Sequence, residues 1–293
     1  MQSSTTVRHG PDSAEAALRA ELSEGGIIEP KARWRSLAGG RTNLIWRIGE
    51  GATSVVCKLY LDSGGSLLFP NDADAECQAL VALSGTGLAP ELVEPRKTSL
   101  GRCLIYKHVD GEVFSGRIEC VAEVLRRLHS RPLPPKIRRI QQGATAIREQ
   151  TMRILKSCSS QKAKALKSLC PRAEDLHLND AVFLHCDAVP ANIIDGPAGL
   201  TLIDWQCPAV GDPTEDLAIF LSPAMQQLYR GEQLSAKMVE NFLEAYGNHA
   251  VTRSYLDLKP LYHWRMAAHC LWKSERGAAD YSAAIQLELE QLD

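Results

Sequence analysis

The stretch His185-Cys186-Asp187-Ala188-Val189-Pro190-Ala191-Asn192, followed twelve residues after Asn192 by Asp204-Trp205, constrains this chain more than any other. The residues between, Ile193-Ile194-Asp195-Gly196-Pro197-Ala198-Gly199-Leu200-Thr201-Leu202-Ile203, read as two short apolar strands around an Asp-Gly-Pro turn. A hairpin there returns Asp204 towards Asn192, which gives the spacing a geometric reason. A carboxylate five residues before an amide, with a second carboxylate closing the next apolar run, offers a distinct set of groups. One can hold an attacking hydroxyl and two can supply oxygen ligands to magnesium, the equipment of a phosphoryl-transfer site.

Bulk properties leave room for such a site. A chain of 293 residues with an apolar fraction of 45% can form two lobes with a cleft between them. The formal net charge is −2 with acids and bases interspersed, which argues against a nucleic-acid partner. The basic run from Lys136 to Lys167 reads as a solvated helical face. Met1 to Ser13 is polar and lacks the apolar core of a signal peptide, and no apolar stretch reaches the ~18 residues that span a bilayer. Cytoplasmic residence without membrane insertion is therefore expected. Nine cysteines without Cys-x-x-Cys spacing fit reduced, mostly buried thiols better than disulfides or zinc. His185-Cys186 with Cys207 is the one cluster worth weighing for zinc, and it is set aside.

Asp12, with Glu15 three residues on, opens an amphipathic helix carrying Leu18 and Leu22, which Gly25-Gly26 stops. Disorder is expected before it. Arg33 to Tyr60 reads as three strands, the last two separated by a turn at Gly49-Glu50-Gly51, with Trp46, Ile48, Val55 and Val56 as apolar positions. A helix follows from about Asp72 to Leu83. Leu92 to Val109 then gives two strand-like runs separated by Arg96-Lys97-Thr98-Ser99. After Asp110-Gly111 the chain turns mostly helical, interrupted by the 183–204 region.

His185-x-Asp187-x-x-x-x-Asn192, then Leu202-Ile203-Asp204-Trp205, then Gly211-Asp212-Pro213-x-x-Asp216-Leu217-Ala218 resembles the aminoglycoside phosphotransferase and choline kinase superfamily. The resemblance implies an α+β, protein-kinase-like fold of two lobes, a small β-rich N-terminal one and a larger, mainly helical C-terminal one. The expected division is a disordered tail over 1–11, a nucleotide-binding lobe over 12–109 and a catalytic and substrate lobe over 110–293. It also implies ATP and Mg2+ as cofactors. Asp187 is then expected to accept or orient the proton of the substrate hydroxyl, and Asn192 and Asp204 to hold magnesium. His185 is expected to brace the loop. Asp212 and Asp216 are expected to support the loop and open a helix, with Asp212 as N-cap and Pro213 just inside.

Gly39-Gly40-Arg41-Thr42-Asn43 lies between the first two strands, where backbone without Cβ atoms can approach phosphates. With Trp46-Arg47 it resembles the glycine loop of choline and thiamine kinase relatives, so Gly39, Gly40, Thr42 and Asn43 are expected at the nucleotide. Lys58 ends the apolar run Val55-Val56-Cys57 and is expected to reach the phosphates. Glu76 shares a helical stripe with Leu80 and Leu83, which points a carboxylate inward, and Lys58 is its natural partner. The run from Arg102 to Gly111 resembles the hinge, whose backbone at Lys107 and Val109 is expected to bind the adenine edge.

The phosphate acceptor is expected to be a small-molecule alcohol of choline, ethanolamine or thiamine type ahead of an aminoglycoside or sugar alcohol. Trp264 and Trp272 share a face with Ala268 at i, i+4 and i+8, and could hold a quaternary ammonium. The same spacing also suits a packed core. Gln206 departs from the glutamate that choline and thiamine kinases often place after Asp-Trp, removing a negative charge. A kinase-like protein that binds nucleotide without turnover is the reading from another class, but Lys58, Asp187, Asn192 and Asp204 are all present. A protein kinase is disfavoured by the lack of an Ala-Pro-Glu segment and of room for an activation loop before Pro213.

Overall fold

The computed structural model describes residues 11–37, 42–61, 65–172 and 178–292. Residues 1–10 of the tail expected to be disordered and the glycines Gly39 and Gly40 lie outside these residues, whereas Pro11, assigned to that tail, begins a helix. Helix α1 (Pro11–Glu24) is followed by strands β1 (Trp34–Ser36), β2 (Leu44–Ile48) and β3 (Val55–Leu59), helix α2 (Ala73–Ala82), and strands β4 (Leu92–Thr98) and β5 (Gly101–Lys107). The five strands form one antiparallel sheet in the order β1-β2-β3-β5-β4.

Strand alternation gives this sheet two different faces. Trp46, Ile48, Cys57, Leu59, Cys103 and Ile105 pack beneath Ala14, Leu18 and Leu22 of α1, forming a small core of their own. The intervening residues Val56, Lys58, Leu104 and Tyr106 therefore face the other way, towards α2 and the rest of the molecule. At about 25 cal/mol per Å2 of apolar surface, each fully buried aliphatic side chain beneath α1 contributes about 1.5–3 kcal/mol, which accounts for the helix lying against the sheet.

One sequence expectation shifts here. Arg96, Lys97 and Thr98 stay in β4, paired with Cys103, Arg102 and Gly101, and the chain reverses at Ser99-Leu100. Because β4 is an edge strand with alternating half-exposed and exposed residues, its polar side chains need no core position. The break in apolar character was no break in the strand.

Beyond the sheet come β6 (Glu112–Val113), α3 (Ile118–His129), α4 (Gly143–Lys156), α5 (Gln161–Ser168), β7 (Val182–Leu184), β8 (Ile193–Gly196), β9 (Gly199–Leu202) and β10 (Ala209–Gly211). Helices α6 (Thr214–Phe220), α7 (Pro223–Arg230), α8 (Ala236–Tyr246), α9 (His249–Ser274) and α10 (Asp280–Leu289) complete the chain. The fold is thus a mixed α+β, protein-kinase-like one, a β-rich part followed by a mainly helical part. β8 and β9 form the expected hairpin, with Ile193 opposite Leu202 and Gly196 opposite Gly199. Its base is closed by Ile203 N–H donating to Asn192 O at 2.9 Å, which sets Asp204 beside Asn192.

The crossing from sheet to helices is tight. Gly111, at φ +147°, lies where a Cβ would come within 2.4 Å of Asp195 O, and a Cβ on Gly196 would meet Asp110 O at 2.3 Å. Glycine at both positions lets the crossing chain run flat against β8, under the cleft. Among the described residues, no helix is long and apolar enough to cross a membrane.

Candidate active site

Strand β7 ends at Leu184 and delivers His185, Cys186 and Asp187 to the cleft. Cys186 sits at φ +61°, a conformation that costs a non-glycine residue about 1–2 kcal/mol. Asp216, fully buried on α6, holds it there. Its Oδ1 accepts from Cys186 N at 2.7 Å and its Oδ2 from His185 N at 2.9 Å, while His129 Nε2 donates to Oδ2 at 3.1 Å. Burial opposes ionisation of Asp216, yet these donors and the neighbouring imidazoles hold its carboxyl below the ordinary range. His185 braces the other side of the loop: Nδ1 accepts from Asp187 N at 3.2 Å, so Nε2 carries the proton and donates to Ile203 O at 3.0 Å. Burial keeps this imidazole neutral by lowering its pKa. Asp212 accepts from Thr214 N and Oγ1 at 2.9 and 2.6 Å, starting α6 one residue later than the sequence suggests, with Pro213 at the cap.

The loop then closes on itself. Val189 N–H donates to Asp187 O at 2.8 Å, and Asn192 Nδ2 donates to the same carbonyl at 2.9 Å. Asn192 thereby keeps its Oδ1 as an oxygen donor. The side chain of Asp187 is pushed well above the usual carboxylate range by burial and by the charge of Asp204, with Lys58, Lys273 and Asn192 pulling the other way.

Across the cleft, alternation along β3 turns Lys58 away from α1 and into the interior, where it is fully buried. Glu76, on the α2 face that also carries Leu80 and Leu83, meets it at 2.5 Å. Asp72 fixes the start of α2 by accepting from Asp74 N and Ala75 N. Lys58 also pairs with Asp204, which adopts φ +61° and keeps 27% of its side chain exposed to the cleft. Burial alone would lower the Lys58 pKa, but Asp204 and Glu76 more than offset it and hold the ammonium charged. Burial pushes the Glu76 carboxyl up, against the pull of Lys58. The hydroxyl of Tyr60 also donates to Glu76, and the Tyr60 ring lies 5.0 Å from Lys58 Nζ.

These groups meet at a cleft of about 480 Å3, lined by Asp187, Asn192 and Asp204, with Lys58 directly behind Asp204. At one end the wall is apolar, from Ile45, Val56, Tyr106, Val109, Ile194 and Ile203, a slot suited to a planar ring. Thr42 lines the cleft as expected. Two neighbouring expectations need correction. Lys107, expected to offer its backbone, is not among the residues that line the cleft, and its N–H is taken up by Glu91 O at 2.8 Å. Asn43 is buried with its amide spent inside the protein: Nδ2 donates to Asn71 Oδ1 and Gln206 Oε1, and Oδ1 accepts from Leu61 N and Asn71 Nδ2. It stitches the first hairpin to the segment after Asp204 rather than facing a nucleotide.

Of the two readings open for the tryptophans, pocket or core, the structure takes the core one, so neither is the substrate residue it was put forward as. Trp264 is fully buried, and its Nε1 donates to Leu166 O at 2.7 Å. Trp272 packs behind His269, with ring centroids 6.2 Å apart, and is covered by Arg276 at 4.1 Å. The helical stripe they share faces α5 and the core. The residues of α9 that do reach the cleft are His269 and Lys273, joined by Tyr229 and Tyr281, and no local pattern marked any of them.

The donor set fits magnesium. Asp204 and Asn192 supply hard oxygen atoms side by side, and magnesium sites of phosphoryl-transfer proteins use one or two protein oxygens together with substrate phosphates. Among the described residues, no group of three or more His, Cys, Asp or Glu could form an all-protein cage.

The family model for phosphotransferase enzymes (APH) matches residues 33–260, and the chain belongs to that family. No curated protein sequence matches the chain. Among solved structures, a choline/ethanolamine kinase family protein from Mesorhizobium loti is similar with a TM-score of 0.66 at 16% identity, covering 94% of this chain and 92% of that one. Choline kinase from Cryptosporidium parvum is similar with a TM-score of 0.62 at 14% identity, covering 94% of each. Aminoglycoside phosphotransferase APH(4)-Ia, solved with AMP-PNP and hygromycin B, gives a TM-score of 0.64 at 13% identity over 94% of this chain and 98% of that one.

Proposed function

We propose that this protein is a magnesium- and ATP-dependent kinase that transfers the γ-phosphoryl group to a hydroxyl of a small molecule. The observation that carries the reading is the convergence on one cleft of Asp187, Asn192 and Asp204, with the buried Lys58–Glu76 pair behind them. Lys58 serves the nucleotide phosphates, and Glu76 keeps its ammonium aimed at them. Asn192 and Asp204 hold magnesium, which neutralises charge on the phosphates when bound. Asp187 orients the acceptor hydroxyl and takes its proton. The backbone beside Val109, in the apolar slot, receives the adenine.

Residues 12–109 would then form the nucleotide-binding lobe and 110–293 the catalytic and substrate lobe, working in the cytoplasm, where nine free thiols are stable. For the acceptor, the sequence favoured a choline-, ethanolamine- or thiamine-like alcohol, on the likeness of the 39–43 loop to choline and thiamine kinase relatives and on Trp264 and Trp272 as an aromatic holder. With those rings out of the cleft the aromatic part of that argument falls away, and the aromatic side chains that do line the cleft include Phe69, Tyr229 and Tyr281.

The test is a coupled ADP-release assay over choline, ethanolamine, thiamine, amino sugars and sugar alcohols. Asp187→Asn should lower turnover by about two to four decades and leave ATP affinity within a few fold. Near-normal turnover in that variant removes Asp187 from the mechanism. ATP binding without acceptor-dependent ADP release would mark a nucleotide-binding protein without turnover.

A further inference from the structure

Successive residues of the catalytic loop face two different spaces. Asp187 lines the cleft, whereas Cys186 lines a second concavity of about 370 Å3 that shares no lining residue with it. One side of this concavity is a fixed piece of backbone. Val210 N–H donates to Arg138 O at 2.8 Å and Ile140 N–H donates to Val210 O at 3.0 Å, so residues 138–140 run parallel beside β10. Helix α4 adds Gln150 and Arg153, and α6 and α9 close the floor with Glu215 and Arg265.

The charges around this space do not balance. Four arginines line it, Arg138, Arg139, Arg153 and Arg265, against one carboxylate, Glu215. Glu215 is already committed, since its two oxygens accept from the guanidinium of the buried Arg265 at 3.1 and 2.6 Å. Glu149 lines an adjoining hollow that Arg139 also borders, but not this one. Among the described residues, no carboxylate forms an ion pair with Arg138, Arg139 or Arg153, and Arg138 is steadied by donating Nη2 to Cys207 O at 2.9 Å. Composition does not explain such a concentration, because the whole chain carries a formal net charge of −2.

The cations are all guanidiniums, whose planar forks match the oxygens of a phosphate or carboxylate better than an ammonium does. An enclosed volume of this size suits a small molecule rather than an extended polyanion. The rim also offers an apolar surface, Leu67, which is 53% exposed.

We infer that this concavity is a binding site for a small oxyanion carrying two or more charges, a phosphate ester or a polycarboxylate. Arg138, Arg139 and Arg153 hold its charged groups, and Leu67 covers its carbon frame. The site is separate from the nucleotide cleft and does not depend on the kinase reading. Through Cys186 its occupant meets the loop that carries Asp187 without entering the cleft.

The experiment titrates fructose 1,6-bisphosphate, glucose 6-phosphate, tricarballylate and glucose calorimetrically into the protein saturated with Mg·ADP, in low-salt buffer. At least one of the multiply charged compounds should bind and glucose should not, and the phosphate and carboxylate arms separate the two anion sources. Arg139 and Arg153 are both exposed, so their replacement leaves the fold intact. Arg139→Gln and Arg153→Gln should each raise the anion's Kd about 10- to 100-fold, the effect of losing one hydrogen-bonded charge, and Arg153→Glu should raise it further. The Kd of Mg·ADP should stay the same in all three variants. Absence of binding by every charged compound overturns the inference. So does anion binding that survives these substitutions, which would place the anion elsewhere, or binding of glucose as tight as that of the anions. A parallel loss of Mg·ADP affinity in the variants would put the anion in the nucleotide cleft and overturn it equally.

Discussion

Replacing Glu76 by Gln tests the central electrostatic arrangement without touching substrate. Glu76 is 1% exposed, binds Lys58 at 2.5 Å and accepts the Tyr60 hydroxyl. Lys58 and Tyr60 both donate to Oε2, so an amide of the same shape can keep both bonds on its one oxygen but loses the negative charge. The bond to Lys58 loses its charged acceptor, at about 1.5–3 kcal/mol. Two effects limit the damage. The burial that pushes the Glu76 carboxyl up no longer applies to a neutral amide, and Lys58 keeps Asp204 as a partner. The net loss of stability should be about 1–3 kcal/mol, less than the 3–5 kcal/mol for stranding a buried charge with no second partner. Function should suffer in a particular way. With Glu76 neutral, Lys58 leans on Asp204 alone and competes with magnesium for that carboxylate. kcat/KM for ATP should fall about 10- to 100-fold, and the magnesium concentration for half-maximal rate should rise with it. Steady-state rates across a magnesium titration, with denaturant unfolding of the same protein, measure both effects. A variant with wild-type efficiency and wild-type magnesium dependence would refute the arrangement.

Three further substitutions probe the loop, the catalytic carboxylate and the core. Asp216→Asn can satisfy one of the two loop N–H groups and must set its own donor against the others, at about 2–4 kcal/mol. Because the folded pKa of Asp216 is depressed, its contribution is present above the unfolded value of about 3.9 and is lost as pH falls through the folded one; wild-type and variant Tm should differ at pH 7 and converge in strong acid. Asp187 has the opposite sign: a raised folded pKa means stability that is full at low pH and lost as pH rises through it. Asp187→Asn should therefore raise Tm at pH 8 in magnesium-free buffer while abolishing most turnover, and scanning calorimetry showing no gain would contradict the burial and Asp204 repulsion assigned to it. Trp264→Leu should cost about 2–4 kcal/mol through a cavity and the lost bond to Leu166 O, with the acceptor's KM unchanged; a KM effect without destabilisation would return Trp264 to the pocket.

Which features could be read from the sequence follows from how local each determinant is. Asp187, Asn192 and Asp204 were legible because one loop and one hairpin join them, and strand pairing leaves little freedom in where a hairpin ends. Lys58 and Glu76 lie on different elements, yet alternation along β3 and the helical stripe of α2 each pointed a charge inward, and two buried opposite charges must meet. Asp216 could be placed beside the loop through the family motif, but its three hydrogen bonds depend on where α6 lies under β7. Periodicity failed where it names a face without saying what that face meets. Trp264 and Trp272 do share a side of α9, but the packing of α5 turns that side into the core. For Lys107 and Asn43 the outcome was decided by partners distant in sequence, Gln206 among them, that took up backbone or amide groups expected to be available. His269, Lys273 and Tyr281 reach the cleft because α10 packs against both α7 and α9, and no spacing along the chain encodes that return. The phosphoryl-transfer chemistry is thus written in segments short enough for local geometry to hold, whereas the wall facing the acceptor is assembled from helices that meet only when the whole core packs.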